Sequence, residues 1–290
     1  MDISFYVIQV LNGIQYGFLL FLVASGLTLV FGVMGIINLA HGSFFMMGAY
    51  LAFWLTRHTG SFFSALPPAL LLALGVAFLA ERLAFVRLYR RRHLDHVLLT
   101  YGLILIFNEL QRMIWGTDVH SVPPPDALAG SIRLTATQSY PVYRIFISLV
   151  CLGVACGLAF AIKTTRFGMA IRAGAVNREM VETLGIDTGK LFAAVFTLGA
   201  GLAAFAGMIA APVEAVYPGI GETFLIISFV VVVIGGIGSI RGAFVGAMVI
   251  GLADAFGKAL VPQFASIGVY AVMAAVLLWR PQGLFGERQT

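Results

Sequence analysis

Apolar residues fall along this chain in nine continuous runs, separated by short segments rich in polar residues, glycine or proline. A helix rises 1.5 Å per residue, so about 20 apolar residues cross the ~30 Å hydrocarbon layer of a membrane. The seventh run is short and ends in GGIGSIRG, which leaves open whether it is a full crossing or a broken helix. The pattern therefore predicts membrane helices over 8–31, 36–55, 62–79, 97–115, 142–162, 191–211, 223–237, 243–260 and 264–279.

Composition agrees with this pattern. The chain has 290 residues, of which 60% are hydrophobic and only 11% are charged, whereas soluble proteins carry about 25% charged residues. We expect an all-α polytopic membrane protein with about nine transmembrane helices, within a range of eight to ten. We expect residues 1–290 to form a single transmembrane domain, with no length left for a separate soluble one. The amino terminus lacks a signal-peptide pattern, so the first helix is expected to be retained.

Basic residues are unevenly distributed between the two sides of a nine-helix arrangement. Segments 81–96 and 163–190 lie on one side, which holds thirteen of the 18 Lys and Arg residues, while the other side holds five. Because basic loops stay in the cytoplasm, the amino terminus is predicted outside and the carboxyl terminus inside. The net charge of +5 then reflects membrane topology rather than nucleic-acid binding. The proline-rich segment 116–140 is predicted to be an extended external loop, and 212–222 a shorter one.

The segment 163–190 is the longest charged interruption in the second half of the chain. Asn177 is a favourable N-cap for a short helix over 178–184, and Gly185 suits the position just after its end. Asp187 or Thr188 then caps the following span, while Gly168 and Gly174 are expected to loosen the chain before Asn177. Such a helix, lying across the cytoplasmic mouth between two crossings, is suited to transmit force. The alternative is a solvated basic loop that only sets topology.

Four blocks of sequence resemble the branched-chain amino-acid permeases of ATP-binding-cassette (ABC) importers, the LivH type. In chain order they begin LNGIQYGFLLFLVASGLTLVFG (11–52), TRFGMAIRAGAVNREMVETLGIDTGK (165–212), GGIGSIRGAFVGA (235–247) and RPQGLFG (280–286), and they cover about a third of the chain. The resemblance implies a multi-pass protein of a bacterial or archaeal cytoplasmic (inner) membrane. Its implied partners are a second permease (LivM-like, or a second copy), two cytoplasmic ATPase subunits and an external solute-binding protein.

The resemblance also assigns a role to the short helix, as the coupling helix that docks on an ATPase subunit. Asn177-Arg178-Glu179 stands where many members have Glu-Asn-Pro, which bears on the details of that contact. Urea and short-amide permeases share these motifs, so both substrate classes stay open. The residues assigned to coupling are Asn177, Arg178, Glu179, Met180, Val181, Glu182, Thr183, Leu184 and Gly185.

The chain carries no phosphate-binding loop of its own. The nearest match to GxxxxGK[ST] is GIDTGKL at 185–191, which is one residue too short and ends in Leu instead of Ser or Thr. No HExxH, GxSxG or Cys/His cluster occurs either. We therefore expect no enzyme activity, metal or cofactor in this chain, with ATP and Mg²⁺ used by partner subunits.

Polar residues within the predicted spans are candidates for a substrate pathway, because they are costly in hydrocarbon. The glycines of GIINLAHGS allow a helix break near Asn38 and His41, where exposed backbone amides could bind a carboxylate, as discontinuous helices do in other transporters. The alternative is hydrogen bonding between helices that fixes packing. Glu214 is expected at the outer mouth, where it would meet a binding protein. The pathway candidates are Asn12, Gln15, Asn38, His41 and Asn108.

Two acidic residues inside spans have a basic residue one turn further on. Glu109 precedes Arg112, and Asp254 precedes Lys258, so structural ion pairs are predicted. This argues against a stand-alone ion-coupled transporter or channel, which would need intramembrane carboxylates without such partners. The sequence thus favours a transmembrane permease subunit of an ABC importer for branched-chain or related amino acids.

Overall fold

The computed structural model describes residues 3–89, 91–134 and 138–286, apart from the side chains of Ile3, His93, Arg178 and Glu179. This part of the chain is almost entirely helical, and nine long helices match the nine predicted runs in order. Two short helices, α6 and α7, lie between the fifth and sixth of them. The helices are α1 Ile3–Met34, α2 His41–Thr59, α3 Phe62–Leu83, α4 His93–Trp115, α5 Val142–Thr164, α6 Arg166–Val176, α7 Arg178–Thr183, α8 Thr188–Ala210, α9 Ile220–Gly235, α10 Ile240–Leu260 and α11 Ala265–Trp279.

Seven of the described helices are long and apolar enough to cross a membrane: α1, α3, α4, α5, α8, α10 and α11, the last with the preceding turn Pro262–Phe264. The other two long helices differ from the prediction. Residues 36–40 are not helical, because Gly35 ends α1 with φ +66°, and α2 therefore begins at His41. The 16 residues of α9 reach about 24 Å, less than the hydrocarbon thickness.

Helices α1 and α8 lie at the centre of the bundle and are buried along most of their length, whereas α3, α4, α5 and α11 are peripheral. Glycine permits the close packing of α1. A Cβ atom on Gly13 would lie 2.8 Å from the Leu252 Cα of α10, and one on Gly26 would lie 2.4 Å from the Gly199 oxygen of α8. Small residues let helices in a membrane approach this closely.

The bundle has two distinct ends. At the upper end, the 116–141 segment forms a short antiparallel hairpin, β1 Ser131–Arg133 with β2 Ser139–Pro141, in which Ile132 lies opposite Tyr140. His120 of the same segment exchanges backbone hydrogen bonds with Val216. The lower end carries α6, α7 and the segment 280–286, where the Leu284 amide bonds the Ile234 carbonyl.

The described ends of the chain lie at opposite ends of the bundle. Asn12 of α1 bonds Arg144 beside the hairpin, whereas Leu284 lies at the lower end, as an odd number of crossings requires. The described residues of segments 81–96 and 163–190 also lie at the lower end. The predicted charge asymmetry is therefore an asymmetry between the two ends of this bundle.

Candidate functional site

The lower end carries a helix that the sequence did not predict. Gly168 and Gly174 do not loosen the chain before Asn177, because both lie inside α6. The Thr165 hydroxyl accepts a hydrogen bond from the Gly168 amide at 3.0 Å and caps this helix. A Cβ atom on Gly168 would lie 2.2 Å from the Ile162 carbonyl oxygen. These glycines serve close packing, and α6 folds tightly against the end of α5.

Helix α7 follows with the local chemistry that the sequence predicted. Asn177 Oδ1 accepts a hydrogen bond from the Met180 amide at 3.0 Å, and Gly185 adopts φ +80° just beyond the helix end. Asp187 Oδ1 caps α8 by accepting from the Lys190 amide at 3.0 Å. That backbone hydrogen bond makes the largest contribution to lowering the pKa of the Asp187 carboxyl, and a hydrogen bond from the Lys190 side chain makes the second largest. The side chains of Arg178 and Glu179 lie outside the described part of the chain.

One face of α7 is attached to the bundle, and the other is free of it. Val181 is buried, and Glu182 Oε1 accepts a hydrogen bond from the Thr188 hydroxyl at 2.6 Å. Met180 and Leu184 are 57% and 72% exposed. Helix α7 therefore joins α8 through Glu182 and presents apolar side chains away from the bundle.

At the upper end, α1, α5, α10 and the segment after α8 enclose a polar cavity of about 360 Å³. It brings together three sequence-predicted residues, Asn12, Gln15 and Glu214. Arg144, which sequence analysis did not single out, also lines this cavity. The lining residues are Gln9, Asn12, Gln15, Tyr16, Arg144, Val213, Glu214, Asp254, Ala255, Lys258 and Ala259.

Most charges in this cavity are satisfied within the chain. Arg144 donates to Asn12 Oδ1 at 2.6 Å, and Lys258 Nζ lies 2.7 Å from Asp254 Oδ2, which confirms that predicted ion pair. Burial raises the pKa of the Glu214 carboxyl, and the positive charges of Lys258 and Arg144 oppose this shift. The predicted Glu109–Arg112 pair is also present, at 4.0 Å between exposed side chains.

The cavity ion pair gives a testable prediction. Lys258→Met should lower the free energy of unfolding by about 2 kcal/mol, because the Asp254 carboxylate stays buried without its cation. Adding Asp254→Asn removes the unpaired charge and should restore most of this loss. Thermal unfolding of the purified protein in detergent measures both variants. A double variant as unstable as the single one would contradict the assignment.

Asn38 and His41 lie apart from the cavity, at the start of α2. His41 Nε2 lies 3.0 Å from the Val23 carbonyl oxygen, and both side chains are buried. A Cβ atom on Gly42 would lie 2.0 Å from the Gly221 oxygen of α9, so the two backbones are in contact. The predicted helix break is present, and the backbone of α9 packs against the first turn of α2.

Asn108 lies in a third place, where α4 meets α9. Its amide donates a hydrogen bond to Glu222 Oε1 at 2.7 Å. The sequence assigned Glu222 to an external loop over 212–222, and this is wrong, since Glu222 lies in the first turn of α9. Among the described residues the Glu222 carboxylate makes no ion pair. Sequence reasoning missed this residue because PGIG before it resembles a loop.

Most of the chain is similar in sequence to a known protein family. Residues 9–278 match the family model described as branched-chain amino acid transport system / permease component. The chain belongs to this family. No solved structure matches the chain significantly.

Several curated relatives of this permease family are similar over nearly the full chain. The high-affinity branched-chain amino acid transport system permease protein BraD of Pseudomonas aeruginosa is 31% identical, covering 99% of this chain and 97% of BraD. LivH of Escherichia coli K12 is 29% identical, covering 96% and 95%. LivM of the same organism is 27% identical over 89% of this chain and 66% of LivM. This permease-family chain is thus a multi-pass membrane protein, similar to both LivH and LivM of Escherichia coli K12.

Proposed function

We propose that this chain is the transmembrane permease subunit of an ABC importer for branched-chain amino acids, driven by separate ATPase subunits. The family match over 9–278 carries this proposal. The relatives named above are branched-chain amino acid permeases, which favours this substrate class over urea or short amides. The chain itself holds no phosphate-binding loop, so ATP and Mg²⁺ are expected in the partner subunits.

Helix α7 is the proposed point of contact with an ATPase subunit. Its exposed Met180 and Leu184 would enter a groove of the ATPase, and movement there would pass to α8 through the Glu182–Thr188 hydrogen bond of 2.6 Å. Because α8 lies at the centre of the bundle, a small displacement of its lower end would reach the helices around it. The proposed coupling residues are therefore those of 177–185.

The remaining partners follow from the proposed orientation. The lower end, rich in basic residues, would face the cytoplasm, and the upper end would face an external solute-binding protein near Glu214. A second permease, LivM-like or a second copy, would complete the solute path. Two places are candidates for that path. One is the upper cavity around Asn12 and Gln15, and the other is the exposed Asn108–Glu222 hydrogen bond.

Co-purification tests this proposal. Expressed with the ATPases and second permease of its own organism and extracted in mild detergent, the tagged chain should retain both ATPases. Purified alone, it should transport no leucine in liposomes. Leucine transport by the chain alone, driven by an ion gradient, would refute the importer and support an ion-coupled carrier.

A further inference from the structure

Glu222 lies at the middle depth of the bundle, although the sequence places it close to a loop. Val23, which accepts from His41 at 3.0 Å, is twenty residues from the first residue of α1 and eleven from the last. These separations are about 30 Å and 16 Å along the helix. The first turn of α2 therefore begins deep inside the bundle rather than at the end of α1.

The first turn of α9 lies at this same depth. A Cβ atom on Gly42 would lie 2.8 Å from the Leu225 Cβ, and one on Gly221 would lie 3.1 Å from the Met46 Cβ. The rings of Phe45 and Phe224 stack with their centroids 3.9 Å apart. The first turns of α2 and α9 thus lie side by side, and the two helices run from this contact in opposite directions. Glu222 lies in the first turn of α9 and is part of this contact region.

The face of α9 that carries Glu222 is open. Glu222, Thr223, Ile226 and Phe229 are exposed, and the spacing of Glu222, Ile226 and Phe229 puts these three on one side of a helix. The neighbouring α4 is peripheral, and Asn108 on it holds the Glu222 carboxylate. A carboxylate at this depth with no cation among the described residues is too costly to face lipid, so we expect this face to meet water, a solute or the second permease.

Resting on the proposed function, we propose that the α4–α9 face lines the solute path and that Glu222 receives the α-ammonium group of the transported amino acid. Asn108 orients the carboxylate, and Ile226 and Phe229 offer apolar surface to a branched side chain. The upper cavity is less suited to this task, because Arg144 and Lys258 place two positive charges beside its carboxylates and would repel an ammonium group. The unsatisfied negative charge of Glu222 is complementary to a primary ammonium.

The first test measures uptake by the complete importer in liposomes. Glu222→Gln keeps the size and the hydrogen-bonding capacity toward Asn108 but removes the charge, so the maximal ATP-driven leucine uptake should fall roughly tenfold. Glu222→Asp, which keeps the charge, should retain most of the uptake. Glu109→Gln is the matched control, since it removes a carboxylate from the residue next to Asn108, and it should leave uptake unchanged. Equal uptake by the two glutamine variants would overturn the proposal.

The second test asks what covers the face. In a Cys156→Ala background of the permease complex without binding protein, Ile226→Cys should react with a membrane-impermeant thiosulfonate. Leu72→Cys, in the middle of α3, is the control, because Leu72 and Ile226 are 49% and 50% exposed. Millimolar leucine should slow the labelling of Cys at 226, and 4-methylpentanoate, which lacks the ammonium, should not. Glu222→Gln should abolish this protection.

The possible outcomes distinguish a failure of the Glu222 site from a failure of the proposed importer function. Labelling at 226 as slow as at 72 would mean that lipid or protein closes this face to water, and labelling without protection by leucine would exclude the ammonium site. Either result overturns the inference while uptake by the wild-type importer continues. Absence of ATP-driven uptake by the wild-type complex would instead contradict the proposed function.

Discussion

Gly42→Ala is expected to cost about 3 kcal/mol of stability and to reduce uptake more than about tenfold, because the added methyl group has no room. Its Cβ would lie 2.0 Å from the Gly221 oxygen and 2.8 Å from the Gly221 carbonyl carbon. Both are backbone atoms of α9, so no side-chain rotation relieves the contact. The two overlapping first turns must separate, and Glu222 moves with α9. Thermal unfolding in detergent and uptake in liposomes measure the two effects.

Gly75→Ala is the control for this substitution. Gly75 also lies inside a helix, but an added Cβ atom there meets nothing within 4 Å. Alanine in a helix is more favourable than glycine by about 0.5–1 kcal/mol, so this variant should be as stable as the wild type or slightly more stable. If Gly42→Ala behaved like Gly75→Ala, the close contact between α2 and α9 would be wrong.

Charging the exposed face of α7 is expected to detach the ATPases. Met180→Asp with Leu184→Asp replaces the two apolar side chains that point away from the bundle, so a buried ATPase contact would be lost and uptake should fall more than about tenfold. The tagged chain should still insert in the membrane, because neither side chain packs against the bundle core. Co-purification of the ATPases and leucine uptake measure the effect.

Thr188→Val separates docking from transmission. It keeps the shape of the side chain but removes the hydroxyl that bonds Glu182, so α7 stays available to the ATPase while its connection to α8 weakens. The ATPases should still co-purify and hydrolyse ATP, with less leucine transported per ATP.

Full ATPase retention and normal uptake in the Met180/Leu184 variant would show that α7 is only a topological loop.

The structure of α7 was predictable because its determinants are local. The caps at Asn177 and Asp187 and the left-handed Gly185 depend on hydrogen bonds to residues no more than four positions away. Each of the nine apolar runs corresponds to one helix, but the predicted count of about nine crossings was too high, since only seven of the described helices are long and apolar enough to cross a membrane. Local chemistry of this kind can be read from a sequence without knowing what packs where.

The starts of α2 and α9 were mispredicted for the opposite reason. Hydropathy continues through 36–40, so it did not predict that α2 begins at His41, where Gly42 contacts Gly221, a residue far away in the chain. Because of the same contact, Glu222 lies in the middle of the bundle and not in the external loop that was predicted for it. This unpaired carboxylate also weakens the argument that every intramembrane acid has a neighbouring cation. In α6, the two glycines that suggested flexibility are packing positions: Gly168 lies against the end of α5, and Gly174 lies against Leu191 of α8 and Val33 of α1.

The most direct test of the central claim is leucine uptake by liposomes that contain this chain with its second permease, both ATPases and the binding protein. Leucine uptake should occur only when ATP and Mg²⁺ are present on the side that the α6–α7 end faces, and it should stop when an ATPase is omitted. Uptake that persists without ATP, or ATP-driven uptake supported from the opposite side alone, would contradict it.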